Sequence, residues 1–502
     1  MDANESRTTG ADASMSTVEH PQTFGSMREF LDVIREKGLL QDIIDADWDL
    51  ELGSVTELVA LSKNSRALLF DRINGYKPGF RVATNLYASP RLHAIALGLP
   101  DNISVTDMIQ AWRRRSRMLK PVPPRVVNDG PIHENIDRGD AVNILKFPVP
   151  RYHEHDGGRY FGTGDLCITR DPEEGWVNIG VYRCQVHDEK TLGLLIQPAH
   201  HGQLQMEKFW KRGEDAPIIV TTGQDPHTYA AACMPLGWGI SEYDMAGGFR
   251  HGPVDVIIEP RTQLPLPATT EIAVIGRVPS PQKEMRQEGP FGECVGYYTA
   301  SGPATVIHID EVWYRNDPIM HGSPPMHGSA MRHALGGEIV TSAIIWDSVE
   351  REVPGVVGVY SLSQPCQTGT FLMAVAINQK YPGHAKHAGL AALASHAGIY
   401  RNRAVIVVDD DVDPSNLDDV IFAFTTRCNP AEDIDLIRGT PGTFLDPRIP
   451  PERRVVGDST GSSMIIDACR PYTWRSQFPR VNTIGRELAE KTLAKWGKQL
   501  GL

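Results

Sequence analysis

The sequence lacks the features that mark several large classes of protein. Its 502 residues contain seven dispersed cysteines and no C-x-x-C pair, which argues against a disulfide framework or a thiolate zinc site. It contains no apolar run of about 18 residues and no basic-then-apolar signal pattern at the N-terminus. Lys and Arg number 50 against 62 Asp and Glu, so the net charge is −12, unlike the basic footprint of nucleic-acid or anionic-membrane binders. We expect a globular cytoplasmic protein with no nucleic-acid or membrane partner.

Common catalytic motifs are also missing. No H-E-x-x-H, Walker A or strand-following G-x-G-x-x-G pattern occurs, which argues against zincin, P-loop and standard dinucleotide sites. Residues 457–461 match G-x-S-x-G behind a strand-like stretch at 454–456, but the hydrolase histidine should follow the serine and the last histidine is His396. The acidic run at 409–413 lacks the later Gly and Glu of a calcium loop, so we interpret it as a turn ending a strand.

The first part of the chain combines a polar tail with mixed secondary structure. Residues 1–24 are small, polar and acidic, which predicts a disordered tail. Ser26 and Glu29 form a capping-box pattern that predicts the first helix, and a second helix is predicted at 105–114. Short β-branched runs between Gly and Pro predict strands at 67–70, 176–182, 218–222, 254–258, 272–278 and 305–312.

The last third of the chain alternates strands with helices. Strands are predicted at 356–360, 371–376 and 404–408, and helices at 384–396 and 417–426, a pattern typical of a parallel-rich α/β layer. A C-terminal helix at 483–502 carries an apolar stripe that must be buried on its own chain or across a dimer interface. The stripe consists of Ile484, Leu488, Trp496 and Leu500. We predict a tail (1–24), a first domain (25–330), a smaller α/β domain (331–470) that contributes to oligomerisation, and a C-terminal helix (471–502).

Two carboxylates around a Gly/Pro-rich turn form a candidate acid/base pair. Glu288 and Glu293 lie five residues apart in Glu-Gly-Pro-Phe-Gly-Glu, so both side chains could enter one cavity. Two neighbouring carboxyls repel, and one then tends to stay protonated near neutral pH. A hairpin with two solvated glutamates is an equally valid interpretation of the motif alone.

Upstream residues offer a guanidinium and a mixed oxygen and nitrogen donor set. Arg183 suits bidentate binding of a carboxylate. Asn178, His200 and Glu242 offer the donor types that suit Mn²⁺ or Mg²⁺. Asn178 and Arg183 are five residues apart, so they would face opposite sides of a regular strand, and a bend near Gly180 is required.

These elements together resemble the UbiD-like decarboxylases, which use prenylated FMN. The resemblance covers residues from about 25 to 500 in the family's order. It rests on the following elements: Trp176-x-Asn178 with Arg183, Pro198-x-His200, Met234-Pro235 with Ser241-Glu242, Glu288 to Glu293, Tyr381-Pro-Gly-His-Ala-Lys386 and Val407 to Asp411. The resemblance implies an α/β protein whose first domain is an α+β flavin-binding unit with a mixed or antiparallel barrel-like sheet. A smaller α/β domain and a C-terminal helix would follow.

The resemblance also implies a cofactor site in residues 25–330. Asn178, His200 and Glu242 would bind a divalent metal, Mn²⁺ or Mg²⁺, and Lys386 would reach the flavin phosphate. K⁺ would bind near Trp176, Ala231, Ala232 and Met234. The complete set of residues implied to contact the cofactor is Asn178, Ile179, Gly180, Val181, Tyr182, Arg183, Ala199, His200, Met234, Pro235, Glu242 and Lys386.

The family's chemistry assigns a role to each member of an Arg-Glu-Glu triad. Arg183 would hold the substrate carboxylate, Glu288 would orient Arg183, and Glu293 would deliver the proton that replaces CO₂. The implied activity is reversible, non-oxidative decarboxylation of an aromatic, heteroaromatic or α,β-unsaturated acid by a homodimer or higher oligomer, with a flavin prenyltransferase supplying the cofactor.

The substrate pocket and two rival functions remain open. His321, Ser323 and His327 could hydrogen-bond a phenol or a ring nitrogen of the substrate, or they could instead cap local backbone. An FMN-dependent oxidoreductase would give the triad no joint role. A non-catalytic flavin-binding subunit of a carboxylase complex would retain the cofactor and release no CO₂.

Overall fold

The computed structural model describes residues 22–198, 200–326, 337–361, 371–399, 403–455 and 457–501. Its helices, labelled α1 to α13 in chain order, are Met27–Glu36, Glu51–Leu61, Pro90–Ala96, Val105–Met118, His201–Lys211, Pro226–Ala232, Glu242–Arg250, Glu338–Glu352, His384–Ala394, His396–Ile399, Leu417–Arg427, Pro451–Val455 and Arg486–Leu500.

Strands form sheets in two parts of the chain, residues 22–326, called here the first half, and residues 337–501, called the second or C-terminal half. They are labelled β1 to β22 in chain order: Leu40–Ile44, Ala67–Asp71, Arg81–Thr84, Arg125–Val126, Asn135–Arg138, Tyr160–Gly162, Asp165–Arg170, Val177–Gly180, Arg183–Asp188, Thr191–Leu195, Ala216–Thr222, Asp255–Ile258, Pro265–Pro267, Ile272–Val278, Arg286–Glu288, Gly302–Tyr314, Ile319–His321, Val356–Ser361, Leu372–Ile377, Ala404–Asp409, Ile434–Thr440 and Gly461–Ala468.

The first helix begins as its sequence predicts. The Ser26 hydroxyl accepts a hydrogen bond from the Glu29 backbone N–H at 3.3 Å, so it satisfies one of the unpaired amides of the first turn. The Glu29 carboxylate accepts from the Gly25 N–H rather than from Ser26, so the reciprocal half of the capping box is displaced by one residue. Phe30, Leu31 and Ile34 are buried in the core.

A ten-stranded antiparallel sheet dominates the first half. Its main path runs β6-β9-β10-β16-β14-β11-β7-β8, and β5 and β15 pair with β16. The strand predicted at 272–278 matches β14, which pairs with β11 over seven residues. Alternate faces of these strands bury separate hydrophobic clusters, which fixes the register because a one-residue slip would expose the buried side chains. A four-stranded sheet, β1-β2-β3-β17, and a three-stranded sheet, β13-β12-β4, complete this half.

The second half is a five-stranded sheet with the order β18-β19-β20-β22-β21. Strands β19, β20 and β22 are parallel, and β18 and β21 pair antiparallel at the two edges. The central strand β20 is buried along its whole length, as expected for a parallel strand covered by helices. The α/β fold class, with an antiparallel first sheet and a smaller α/β unit, is confirmed.

Three predicted elements differ from the structure. The strand predicted at 176–182 ends at Gly180, and Arg183 begins β9. The helix predicted at 384–396 is interrupted at Ser395, whose hydroxyl donates to the Ala392 carbonyl and accepts from the Gly398 N–H, competing with the helical hydrogen bonds. The prediction of a strand at 454–456 is wrong, because Arg454 lies in the helix α12. The Arg454 guanidinium donates to the Ile449, Phe444 and Asp446 carbonyls.

Side chains on α4 and α8 join the two halves of the chain. Arg113 donates to Asp347 at 2.8 Å and to Glu350 at 2.7 Å, and its guanidinium stacks on the Trp346 ring at 4.2 Å. Arg117 donates to the same two carboxylates. The Arg113 side chain is 7% exposed, whereas Asp347 and Glu350 are 30% and 41% exposed, so the guanidinium is buried while both carboxylates stay in contact with solvent.

The apolar side chains of the C-terminal helix α13 are exposed on the surface of the single chain. Leu488 is 57% exposed, Leu500 is 62% exposed, and Leu493 and Trp496 are also exposed. Ile484 is exposed as well, but it precedes α13, which begins at Arg486 rather than at the predicted residue 483. Within the described residues, no helix has the length and apolar character needed to cross a lipid bilayer.

The acidic turn after β20 is held by arginines. The Asp409 carboxylate accepts from Arg427 and Arg470, and Gln379 donates to its other oxygen. Asp409 and Arg427 have side-chain exposures of 2% and 3%, so both charges are removed from water and depend on each other. The interpretation of this run as a strand-end turn agrees with its position.

We expect Arg427→Ala to lower the free energy of unfolding of the C-terminal half by roughly 3 kcal/mol, because the substitution leaves Asp409 buried with fewer partners. Urea unfolding followed by circular dichroism would measure the change. Lys491→Ala, which removes the exposed Lys491–Glu487 pair on α13, should leave the midpoint unchanged. Equal midpoints for the two variants would show that the buried pair contributes no more than a surface pair.

Candidate active site

Arg183 enters the site because the chain bends between β8 and β9. β8 pairs with β7 and ends at Gly180, whereas β9 begins at Arg183 and pairs with β6 and β10. The Tyr182 ring folds back over Gly180, where an added Cβ would lie 2.4 Å from the ring, so glycine permits the bend. The bend required by the five-residue spacing is therefore present.

Arg183 and Glu288 form a bidentate ion pair. The Arg183 Nε–H donates to Glu288 Oε1 at 2.8 Å, and Nη2–H donates to Oε2 at 2.6 Å. The Tyr160 hydroxyl donates to the same Oε1 at 2.9 Å, so this carboxylate accepts three hydrogen bonds. Both side chains are nearly buried, at 11% and 2% exposure, which fixes the guanidinium in one orientation.

The turn after Glu288 carries Glu293 back toward Arg183. Glu293 Oε2 lies 3.6 Å from Arg183 Nη1, the nitrogen that Glu288 does not use. The Phe291 ring packs 5.0 Å from the same guanidinium. The structure thus brings Arg183, Glu288 and Glu293 together around one charge, and the interpretation of two solvated glutamates is wrong.

Asp156 and Thr299 fix the backbone of this turn. Asp156 accepts from the Gly292 N–H at 2.9 Å through one oxygen and from the His153 N–H at 3.0 Å through the other. The Thr299 hydroxyl accepts from the Phe291 N–H at 3.2 Å. The residue preceding Glu293 is therefore anchored to a buried carboxylate, which restricts where the Glu293 side chain can point.

Burial raises the pKa of Glu293 above its usual range. The Arg183 charge and a backbone hydrogen bond oppose the shift, and the Glu288 charge adds to it. The direction agrees with the prediction that one carboxyl of the pair holds its proton more tightly. A proton donor for a reaction near neutral pH needs this property.

The predicted metal ligands lie in linked positions. Glu242 is the first residue of α7, directly after the Ser241 N-cap, and its side chain accepts from the Ile179 N–H at 3.0 Å, next to Asn178. Tyr182 hydrogen-bonds Asn178, and its ring lies 5.9 Å from the His200 ring at the start of α5. Burial raises the pKa of Glu242 to about 8, and no ion pair among the described residues includes it.

The residues implied for K⁺ lie near the end of α6 and beside β8. The Trp176 carbonyl already accepts from the Asp171 N–H at 2.8 Å and from Gln205 at 3.3 Å. Ala231 and Ala232 are buried in α6, and Met234 and Pro235 follow in the next turn. The K⁺ assignment stays a prediction.

The remaining residues of the predicted site are more distant or more enclosed. Lys386 on α9 pairs with Asp435 of β21 at 3.0 Å, inside the C-terminal half. His321 packs between the Tyr87 and Tyr229 rings, and burial lowers its pKa to about 4, so it is neutral near pH 7. Ser323 donates its backbone N–H to Thr163 at 3.0 Å. Ala199 and His327 lie outside the described residues.

Sequence reasoning missed Tyr160, Asp156 and Thr299. Tyr160 and Glu288 are 128 positions apart, and no spacing rule connects them. The only local signal for Tyr160 is its place in a short aromatic run before β7, which is equally typical of a hydrophobic core. Their contacts depend on how the strands pair.

Comparison with known families decides what kind of protein this is. Three successive models of 3-octaprenyl-4-hydroxybenzoate carboxy-lyase match the chain: the N-terminal domain at residues 31–112, the Rift-related domain at 125–327 and the C-terminal domain at 334–468. The chain belongs to the UbiD family.

Relatives of this UbiD-family chain are similar over nearly its whole length. It is 31% identical to a phenolic acid decarboxylase of Streptomyces sp. (strain D7), over 95% of this chain and 98% of that protein. It is 29% identical to a pyrrole-2-carboxylic acid decarboxylase of Pseudomonas aeruginosa, over 90% and 92%. An evolved dimeric form of the UbiD-class enzyme HmfF from Pelotomaculum thermopropionicum, solved with prFMN, matches with a TM-score of 0.79 at 26% identity, over 94% and 100%. The protein is a carboxy-lyase of the UbiD family.

Proposed function

We propose that this UbiD-family enzyme reversibly decarboxylates an aromatic, heteroaromatic or α,β-unsaturated acid with prenylated FMN, and that Arg183, Glu288 and Glu293 carry out the chemistry. The observation that carries this proposal is the single guanidinium held at two atoms by Glu288 and facing Glu293 at its third nitrogen. Neither an ordinary surface ion pair nor a purely structural one requires a second, protonatable carboxyl at that position.

The donor set fits a divalent cation. Glu242 is a buried carboxylate that accepts one backbone hydrogen bond from Ile179 and has no cationic partner among the described residues, and a bound Mn²⁺ or Mg²⁺ would compensate its charge. Asn178 and His200 would complete the set, with Ile179 to Tyr182, Ala199, Met234 and Pro235 lining the flavin. K⁺ near Trp176, Ala231, Ala232 and Met234, and Lys386 at the phosphate, belong to the same proposal. Prenylated FMN supplies an electrophilic carbon framework that accepts the electron pair left when CO₂ departs.

The chain's own residues bind the acid and move one proton. Arg183 Nη1 is the guanidinium nitrogen that does not bind Glu288, so it binds the substrate carboxylate. Glu288, held in turn by Tyr160, prevents rotation of the guanidinium. The bond between the carbon and CO₂ breaks, and Glu293 donates its proton to that carbon to form the new C–H bond. In the carboxylation direction Glu293 accepts the proton. Its raised pKa keeps the acid form available nearer to neutral pH.

The substrate class is proposed from the relatives and from the site's aromatic lining. Phenolic and pyrrole acids are the substrates named for the two relatives, and both are planar. Phe291 packs against the Arg183 guanidinium, so an aromatic ring lies next to the carboxylate site. His321, Ser323 and His327 remain the candidates for a hydrogen bond to a phenol or ring nitrogen of the substrate.

We expect Glu293→Gln to abolish CO₂ release from a panel of aromatic acids while retaining the flavin, because the amide keeps the shape of the side chain and loses its transferable proton. The protein would be co-produced with a flavin prenyltransferase and manganese. Denaturing mass spectrometry would identify the bound flavin, and head-space analysis would quantify CO₂.

Glu284→Gln is the matched control, because Glu284 pairs with His308 and Arg286 away from the triad and should leave turnover intact. Unchanged turnover in Glu293→Gln would remove Glu293 from the mechanism. Plain FMN in the wild-type protein despite a prenylated supply would favour an oxidoreductase, and prenylated FMN without turnover of any acid would favour a non-catalytic subunit.

We expect the Mn²⁺ affinity of the flavin-free protein to rise about tenfold between pH 6 and pH 7, about fivefold between pH 7 and pH 8, and then to level off. The pKa of Glu242 is about 8, so below that pH the metal must displace its proton, and above it the carboxylate is already charged. Titration calorimetry over this range would measure the slope. In Glu242→Gln the affinity should be weak and nearly independent of pH, and an unchanged slope there would exclude Glu242 as the ligand.

We further propose that the α13 stripe is covered by a second copy of the chain. Leu488→Glu places a charge in the stripe and should shift the protein from dimer to monomer in light scattering at micromolar concentration. Lys498→Glu, a charge change on the opposite face of α13, should leave the mass unchanged. If the Leu488→Glu protein has the same mass in light scattering as the wild-type protein, the stripe is not the dimer interface.

A further inference from the structure

A carboxylate and two thiols meet inside the apolar core of the ten-stranded sheet. Asp165 and Cys167 lie two residues apart on β7 and so face the same side of the strand, and Cys184 lies near the start of β9. All three have 0% exposure, and their ligand atoms lie within 4.8 Å of one another. None of the three has a role in the proposed decarboxylation.

The Asp165 carboxyl is poorly compensated by its surroundings. The Cys167 thiol donates to its Oδ2 at 3.3 Å, and Oδ1 has no hydrogen-bond partner among the described residues. Burial raises the pKa of Asp165 to about 7. A buried polar oxygen without a partner is costly, so a specific ligand or ion is a natural explanation for it.

Four donor atoms at this point match the spacing of a tetrahedral zinc site. Zn–S and Zn–O bonds of about 2.3 and 2.0 Å separate neighbouring sulfur and oxygen ligands by about 3.5 Å. The separation between Cys167 Sγ and Asp165 Oδ2 is 3.3 Å. The Tyr182 carbonyl oxygen lies 3.6 Å from Cys184 Sγ and 4.0 Å from Cys167 Sγ, which supplies a fourth donor.

We propose that Asp165, Cys167 and Cys184, with the Tyr182 carbonyl, form a second metal site that binds Zn²⁺. Two thiolates and a carboxylate are soft and anionic ligands that favour zinc over the Mn²⁺ or Mg²⁺ expected at Asn178, His200 and Glu242. Binding releases the two thiol protons and any carboxyl proton to solvent. The ion would cross-link β7 to the Tyr182–Cys184 segment, and so it would support the backbone that presents Arg183.

Two measurements on the flavin-loaded wild-type protein test the proposal. Cells would be grown with both zinc and manganese, and metal content would be determined by plasma mass spectrometry. X-ray absorption at the zinc edge should show sulfur neighbours at about 2.3 Å, which distinguishes this site from a zinc ion occupying the oxygen and nitrogen site. We expect about one zinc ion per chain with two sulfur ligands.

Variants assign one sulfur ligand and the carboxylate ligand. Cys184→Ser and Asp165→Asn should lose most of the zinc and keep the manganese. Cys469→Ser is the matched control, because Cys469 is a buried thiol that donates to the Val407 carbonyl at 3.6 Å in the other half of the chain. It should retain both metals.

The proposal is overturned if the wild-type protein contains no zinc, if its zinc has only oxygen and nitrogen neighbours, or if soluble Cys184→Ser keeps its full zinc content. If Cys184→Ser and Asp165→Asn fail to fold, the zinc-edge spectrum of the wild-type protein still decides between two sulfur neighbours and none.

Discussion

The ion pair between Arg183 and Glu288 constrains both the fold and the chemistry of this protein. It connects the start of β9 to the end of β15, two strands that do not pair directly, and its two charges lie in a region that excludes water. Removing either partner would leave the other charge buried and uncompensated, which is far more costly than losing a surface pair. The Tyr160 bond to Glu288, the turn that carries Glu293 and the aromatic contact of Phe291 all depend on this fixed guanidinium.

Two buried glutamates have raised pKa values for the same physical reason, yet they suit different roles. Glu242 accepts a backbone hydrogen bond from Ile179 and has no cation beside it among the described residues, so a bound metal ion would best stabilise its charged form. Glu293 already faces Arg183, and the proximity of Glu288 works against its ionisation. One carboxyl therefore suits binding of a cation and the other suits exchange of a proton.

The sequence was informative where a local pattern decides the structure. The alternation and β-branching of residues 272–278 predict a strand because those side chains have to be buried on a pleated surface, and the Ser26 cap predicts a helix start from one hydrogen bond. The break at Ser395 was not predicted, since the Ala-rich composition around it favours a continuous helix and the competing hydroxyl bonds are visible only in three dimensions. Similarly, Asp165, Cys167 and Cys184 show no metal-binding spacing in the sequence, because strand pairing rather than the order of residues brings them together.

The bend between Gly180 and Arg183 limits which changes in chain length the enzyme can tolerate. Side chains alternate between two faces along a strand, and the two residues outside both strands reset that alternation before Arg183. Inserting one residue between Arg183 and Cys184 would reverse the faces of every later side chain in the strand, moving Cys184 out of the core. A length change at Val181 or Tyr182 would instead alter the reach of Arg183 toward Glu288. We therefore expect natural variation in this stretch to consist of substitutions, and insertions or deletions to be confined to loops such as the one between β7 and β8.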